Sequence, residues 1–194
     1  MKMIHSESSS SIIVNAIWPK TSLVRDVALV GMGSLTLAAL AQVQIPLLPV
    51  PVTGQTLGVL LVGALLGRRL GALSIIAYLF EGLMGLPVFA GASGGLAHLF
   101  GPTGGYLLGF VAAAALVGWL SEQGWDRTPW MTALAMVLGN LVIYAAGLSW
   151  LAVFTGWEKA FVVGMLPFLA GDALKIGLAA VLLPGGWSLL NRGK

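Results

Sequence analysis

Long apolar blocks alternate with short polar or glycine- and proline-rich breaks along this chain. The blocks lie at about 26–45, 54–67, 70–86, 105–120, 130–154 and 160–183. Each reads as a membrane helix, although the second and third, parted by Arg68 and Arg69, are short for a bilayer that needs ~20 apolar residues per crossing. Strict apolar–polar alternation, the mark of a membrane β-barrel, is missing from the pattern. The expected fold is therefore an all-α integral membrane protein with six transmembrane helices. Two breaks are irregular. Residues 46–52 are proline-rich, and residues 84–104 contain too many Gly and Pro for a regular helix.

Composition supports the membrane reading. Of 194 residues, 58% are hydrophobic and only 9% charged, against roughly 25% charged in soluble domains; the mean hydropathy is +0.94. The net charge of +3 is small, and its placement is what informs. Positive residues near span ends mark the cytoplasmic side. With both termini cytoplasmic, Lys2, Lys20, Arg25, Arg68, Arg69, Arg127, Arg192 and Lys194 all fall inside. Lys159 alone falls outside, and Lys175 lies within the membrane. Both irregular segments and the turn at 155–159 are then extracellular. Free backbone groups at membrane depth survive only where protein buries them or a cavity hydrates them, so a ligand pocket is expected near the extracellular side. Residues 1–25 are expected to be a cytoplasmic N-terminal tail, touching the membrane surface through Ile12, Ile13, Val14, Ile17 and Trp18, with 26–185 the membrane domain and 186–194 a short cytoplasmic tail. The tail lacks the pattern of a secretory signal.

The residue inventory narrows the chemistry. Cysteine is absent and the only histidines are His5 and His98, so neither thiolate chemistry nor a histidine metal cluster is expected. No local pattern unites a nucleophile with a base, no phosphate-binding fingerprint occurs, and no basic stripe suits nucleic acid. A transport protein rather than an enzyme is expected, without metal or cofactor and with the lipid bilayer as its surroundings.

Within "FLAGDALKIGLAAVLLP", Asp172 and Lys175 are charges inside an apolar helix. A charge at mid-membrane costs about 2.5–3.5 kcal/mol on insertion scales, and a spacing of three places both on one face, where they can pair. They are either a salt bridge that fixes helix packing or a polar anchor in a pocket. In the pocket reading, Lys175 holds a ligand carboxylate or orients Asp172, and Asp172 accepts ligand N–H groups. Gly171 permits close approach. Gln55 follows the proline segment as a cap or a ligand contact. Glu81 reaches the interface or the pocket. Asn140 suits an interhelical hydrogen bond. Phe89 and Tyr106 offer flat apolar walls, His98 is a loop hydrogen-bonding residue, and Thr53 and Gly91 of the two irregular segments complete the substrate-binding set. On the first span, Ala28, Gly31, Ser34 and Ala38 form a small-residue stripe that lets another helix approach, within the chain or in a partner.

The stretch "IPLLPVPVTGQTLGVLLVGALLGRRLGALSIIAYLFEGLMGLPVFAGASGGLAHLFGPTGGYLLGF" closely resembles the BioY family, the biotin-binding S components of energy-coupling-factor (ECF) transporters. "LPFLAGDALK" resembles that family's Gly-Asp-x-x-Lys ending. The resemblance spans about residues 26–185. It implies a six-helix S component in the cytoplasmic membrane with an outward-facing biotin site, partnered by a transmembrane coupling subunit and two cytoplasmic ATPases. Asp172, Lys175 and Gln55 would meet the polar groups of biotin, and Phe89, Tyr106 and the glycine-rich loop its apolar parts. The family's Ala-x-x-x-Ala stripe on the first span is replaced by "GMGSLTLAAL", and Glu81 and His98 stand where apolar residues are usual. A vitamin transporter or channel working alone is the alternative.

Overall fold

The structure, a computed structural model, describes residues 12–192. A short helix α1 (Ile13–Ile17) leads into α2 (Leu23–Gln42). A two-stranded antiparallel ribbon of β1 (Gln44–Ile45) and β2 (Val52–Thr53) encloses the proline segment. Then come α3 (Gln55–Leu83), α4 (Leu96–Phe100), α5 (Gly104–Glu122), a 3₁₀ turn (Trp125–Arg127), α6 (Pro129–Thr155), α7 (Trp157–Gly164) and α8 (Leu166–Arg192). Among the described residues, α2, α3, α5, α6 and α8 are long and apolar enough to cross a membrane.

Local chemistry sets the ends of these helices. Ser22 caps α2 by accepting from the Arg25 N–H at 3.2 Å. Pro129 opens α6, where its missing N–H costs nothing. Gly156, at φ 79°, closes α6.

The six apolar blocks meet only five helices of membrane length because α3 turns back on itself. A straight helix of 29 residues would extend about 44 Å. Instead Gly67 sits at φ 79°, a conformation open chiefly to glycine, and the chain reverses there. A Cβ on Gly71 would lie 2.9 Å from the Cα of Gly63, and the Gln55 amide reaches the Tyr78 hydroxyl at 2.7 Å. The two arms are thus antiparallel neighbours. Glu122 of α5 locks the bend: Oε1 accepts the Arg68 backbone N–H at 2.9 Å and Oε2 lies 3.7 Å from Arg68 Nε. At the same bend a Cβ on Gly118 would meet the Arg68 nitrogen and the Gly67 carbonyl carbon at 2.4 Å, so α5 approaches the reversal closely only because residue 118 has no side chain.

This bend, the 3₁₀ turn, α1 and the end of α8 form one end of the bundle. Trp187 Nε1 donates to Asp126 Oδ2 at 2.7 Å, and the Arg127 guanidinium lies 4.8 Å from the Trp187 ring. Burial pushes the Asp126 carboxyl above its ordinary pKa, opposed by the Trp187 bond. Arg25 is buried here and donates to Asn15 Oδ1 at 2.8 Å. The opposite end carries the ribbon, the 84–103 loop and α7.

Three expectations change in detail. Ile12, Ile13 and Val14 are buried against the bundle rather than laid on a membrane surface, because Ile12 fills the space beside Gly67 and Ile13 that beside Gly186; Ile17 and Trp18 are exposed. Residues 1–11 of the expected tail lie outside the described residues. Residues 157–164 form a helix of their own, separated from α8 at Met165, whose φ and ψ (−130°, −54°) leave the helical region just before Pro167. Finally, α8 runs through Pro184 to Arg192, so the stretch from 186 to 192 is helical.

Candidate functional site

At the loop end, a cavity of about 310 Å³ lies between the ribbon, the 84–103 loop and helices α3, α5, α6 and α8. That volume is at the lower bound of common small-molecule pockets, ~300 Å³. Its walls are mainly apolar: Val50, Phe89, Leu107, Phe110, Ile143 and Phe168. Phe89 is held by an edge-on contact with Tyr78, ring centroids 5.4 Å apart. The Tyr106 hydroxyl donates to the Gly164 carbonyl at 2.8 Å, so this residue offers the cavity its ring and ties α5 to α7.

Asp172 and Lys175 do not line the cavity; they stand behind residues that do. Lys175 Nζ donates to the Thr53 carbonyl at 2.8 Å, to Thr56 Oγ1 at 2.8 Å and to Asp172 Oδ1 at 3.2 Å. An ammonium has three protons, and all three are engaged, leaving none for a ligand carboxylate. Asp172, 4% exposed, also accepts the Tyr144 hydroxyl on Oδ2 and the Thr56 hydroxyl on Oδ1, the latter at 3.3 Å. With their protons directed at Asp172, the oxygens of Tyr144 and Thr56, both residues of the cavity lining, keep only acceptor capacity, and one lone pair of Thr56 is already taken by Lys175. The carboxylate sets the polarity of the wall without touching the space it encloses.

Gln55 and Thr53 line the cavity. Thr53 Oγ1 donates to Gln55 Oε1 at 2.9 Å, and Gln55 Nε2 donates to the Tyr78 hydroxyl. That hydroxyl in turn donates to the Val88 carbonyl at 3.2 Å. A hydrogen-bonded chain therefore runs from the ribbon to the loop. Gln42, at the end of α2, grips the same loop: Nε2 donates to the Phe89 carbonyl at 3.1 Å, and Oε1 accepts the Ala92 N–H at 2.9 Å. Gly91 lies in the tight turn at φ 72°, outside the lining and beside Gln44. Glu81 accepts from Ser34 Oγ, which fastens α2 to the second arm of α3 and keeps the carboxylate out of the cavity. Of the small-residue stripe, Ser34 and Ala38 pack inward, while Ala28 is exposed and Gly31 has open space where a Cβ would be.

A family model described as BioY family matches residues 8–192. The chain belongs to the BioY family. Among similar proteins, the probable biotin transporter BioY of Pyrococcus horikoshii is 42% identical over 158 residues, covering 81% of this chain and 93% of that one. The biotin transporter BioY of Thermotoga maritima is 38% identical over 160 residues, covering 82% and 94%. The crystal structure of the S-component for biotin from an ECF-type ABC transporter superposes with a TM-score of 0.71 at 25% identity, covering 86% of this chain and 94% of that one.

Among the helix residues of the lining, sequence reading singles out neither the hydroxyl-bearing Tyr144 and Thr56 nor the apolar Leu107, Phe110, Ile143 and Phe168. Tyr144 is visible only through its spacing, one turn beyond Asn140 on an otherwise apolar helix. Asn140, read as an interhelical group, also lines the cavity; it is 6% exposed, and its Oδ1 has no hydrogen-bond partner. His98 lines the cavity too, with its ring 5.8 Å from that of Phe89 and its buried Nδ1 without a partner.

Proposed function

We propose that this chain binds biotin from outside the cell and delivers it inward as the substrate-binding S component of an ECF-type transporter in the cytoplasmic membrane. One observation carries the biotin reading: an apolar cavity of about 310 Å³ whose polar wall is acceptor-rich and braced by a neutralised Asp172–Lys175 pair. Biotin pairs a ureido ring, two N–H donors beside a carbonyl, with a thioether ring and an alkyl tail that suit aromatic and aliphatic walls. The named relatives and the superposable S-component favour the same ligand. In this reading the two arms of α3 are separate crossings, making six. The arginine-rich end of the bundle faces the cytoplasm with both termini, as the positive-inside rule favours, and the cavity opens outward. Energy then comes from a transmembrane coupling subunit and two ATPases, and Ala28 and Gly31 on the open face of α2 are available to a partner helix.

Calorimetric titration of the purified chain with biotin tests the ligand, and saturable binding is expected. An absence of saturable binding would overturn the reading. Uptake into liposomes should require added coupling and ATPase subunits; accumulation with this chain alone would replace the S-component reading with a standalone transporter.

A further inference from the structure

The bend in α3 lies at the end of the bundle remote from the cavity, and it is recessed. Its first arm, Gln55–Gly67, extends about 20 Å and its second, Arg68–Leu83, about 24 Å, against a hydrocarbon core of ~30 Å. Contacts with neighbouring helices fix the level. A Cβ on Gly139 of α6 would lie 2.4 Å from Leu60 Cδ2. From there α6 runs about 15 Å to its start at Pro129, whereas the first arm of α3 runs only about 10 Å to Gly67. Likewise α5 continues about 6 Å beyond Gly118, which touches the bend, to Glu122. Arg68 and Arg69 therefore sit roughly one helical turn inside the end of the bundle. Spans shorter than the hydrocarbon draw headgroups down to their ends.

Periodicity sets the direction of the charge. Arg69, Leu73, Ile76 and Phe80 recur at intervals of four, three and four on the second arm. All are exposed, Leu73 at 40%, Ile76 at 48% and Phe80 at 63%, so they form one stripe on a face that no other helix covers. Arg69 is the foot of that apolar stripe. Among the described residues it has no hydrogen-bond or ion-pair partner, and Arg68 has only Glu122, 3.7 Å from its Nε. The other acids of this end are engaged: Asp26 with Arg25 at 3.2 Å, and Asp126, which is buried, with Trp187. A guanidinium at the edge of hydrocarbon is thus left without a protein carboxylate, and a charge in that position needs an anion.

We propose that the α3 bend binds an anionic phospholipid, its phosphate held by Arg69 and the remaining N–H groups of Arg68, and one acyl chain laid along Leu73, Ile76 and Phe80. A planar guanidinium presents paired N–H donors that match two phosphate oxygens. Trp119, next to Gly118 and 45% exposed, stands at the same level as the bend, where an amphipathic ring suits the headgroup boundary. The stripe above Arg69 is apolar and the bend lies behind the ends of α5 and α6, which fits a lipid better than a water-soluble acidic protein. A zwitterionic lipid carries its own cation beside its phosphate, so a lipid of net negative charge gains more from the two arginines.

Native mass spectrometry tests this on the full-length purified chain, titrated in detergent with phosphatidylglycerol and with phosphatidylcholine of matched acyl chains. The ratio of apparent Kd values gives the preference. One arginine near an anionic surface is worth about fivefold, so the original chain should prefer phosphatidylglycerol by about tenfold or more. Arg69→Gln should cut that preference about fivefold, and Arg68→Gln combined with Arg69→Gln should abolish it. Arg192→Gln, at the same end but on α8, and Lys159→Gln, at the opposite end, should each keep it within about twofold, the scatter of such ratios for a site built on Arg68 and Arg69. Thermal melts verify folding. Should the double variant not fold for want of the Glu122 contact, Arg69→Gln decides alone, because Arg69 has no partner to lose. The site is overturned if the original chain shows no preference. It is overturned too if the preference survives Arg69→Gln, which would leave the arginine to a protein partner, or if Arg192→Gln removes as much as Arg69→Gln, which would mean a diffuse field.

Discussion

Replacing Asp172 with Asn keeps size and shape and removes only the charge. Asp172 accepts from three donors: Lys175, Thr56 and Tyr144. Its neutral substitute offers one acceptor oxygen, and its NH₂ group points a donor at partners that are themselves donors. Two consequences follow, with different magnitudes. Lys175, whose side chain is 17% exposed, loses its counter-charge; removing one partner of a buried pair costs about 3–5 kcal/mol, and the lower end applies because this ammonium keeps Thr53 and Thr56 as acceptors. The single remaining oxygen cannot serve Lys175, Thr56 and Tyr144 together, so at least one of the two hydroxyl protons is free to rotate into the cavity. Each wall oxygen that ceases to be a clean acceptor forfeits about 1–1.5 kcal/mol of ligand hydrogen bonding, or roughly tenfold in Kd. Biotin affinity of Asp172→Asn should therefore fall at least tenfold by calorimetry, accompanied by a lower melting temperature in detergent. The double variant Asp172→Asn with Lys175→Met should recover much of the melting temperature, since no charge is left buried, but not the affinity. Biotin binding within twofold of the original in Asp172→Asn would refute the claim that the carboxylate sets the polarity of the wall.

Gly118→Ala should destabilise the bundle by about 1–3 kcal/mol, the usual cost of overpacking, because the new methyl meets backbone at 2.4 Å; a thermal melt checks this. Gln42→Ala releases the loop from α2 and should raise both association and dissociation rates of biotin in stopped-flow measurements, with a smaller change in Kd. The raised Asp126 pKa gives a signed pH effect. The folded state holds this proton more tightly than the unfolded chain, so its stability contribution is fully present below the ordinary carboxylate range and is lost as pH rises through the folded value. The drop in melting temperature across that interval should be smaller in Asp126→Asn than in the original chain.

The membrane helices were legible because hydropathy alone demands them: the blocks at 105–120 and 130–154 match α5 and α6 to within two residues. The reversal at Gly67 announces itself through Arg68 and Arg69, which interrupt the apolar run, although the continuous helical signal on either side gives no hint that Glu122 secures it. The independence of α7 was not legible, since its break at Met165 depends on packing rather than composition. At the site, the charges Asp172 and Lys175 are conspicuous because they are rare in such a helix, while the sequence leaves open whether they anchor a ligand or pair with each other. Sequence displays a charge but not how many of its bonds the protein itself consumes. Tyr144, Thr56 and Asn140 are chemically modest, and only the convergence of α3 and α6 on one cavity makes them a set.

The saturation of Lys175 has an electrical consequence. Ammonium and carboxylate are joined at 3.2 Å, so they travel as a unit of zero net charge through any rearrangement that shifts the cavity within the bilayer. A single unpaired charge moving across the whole field exchanges about 2.3 kcal/mol per 100 mV with the membrane potential; the joined pair exchanges almost nothing. What the potential acts on at this site is then the cargo's own carboxylate, not the machinery that holds it.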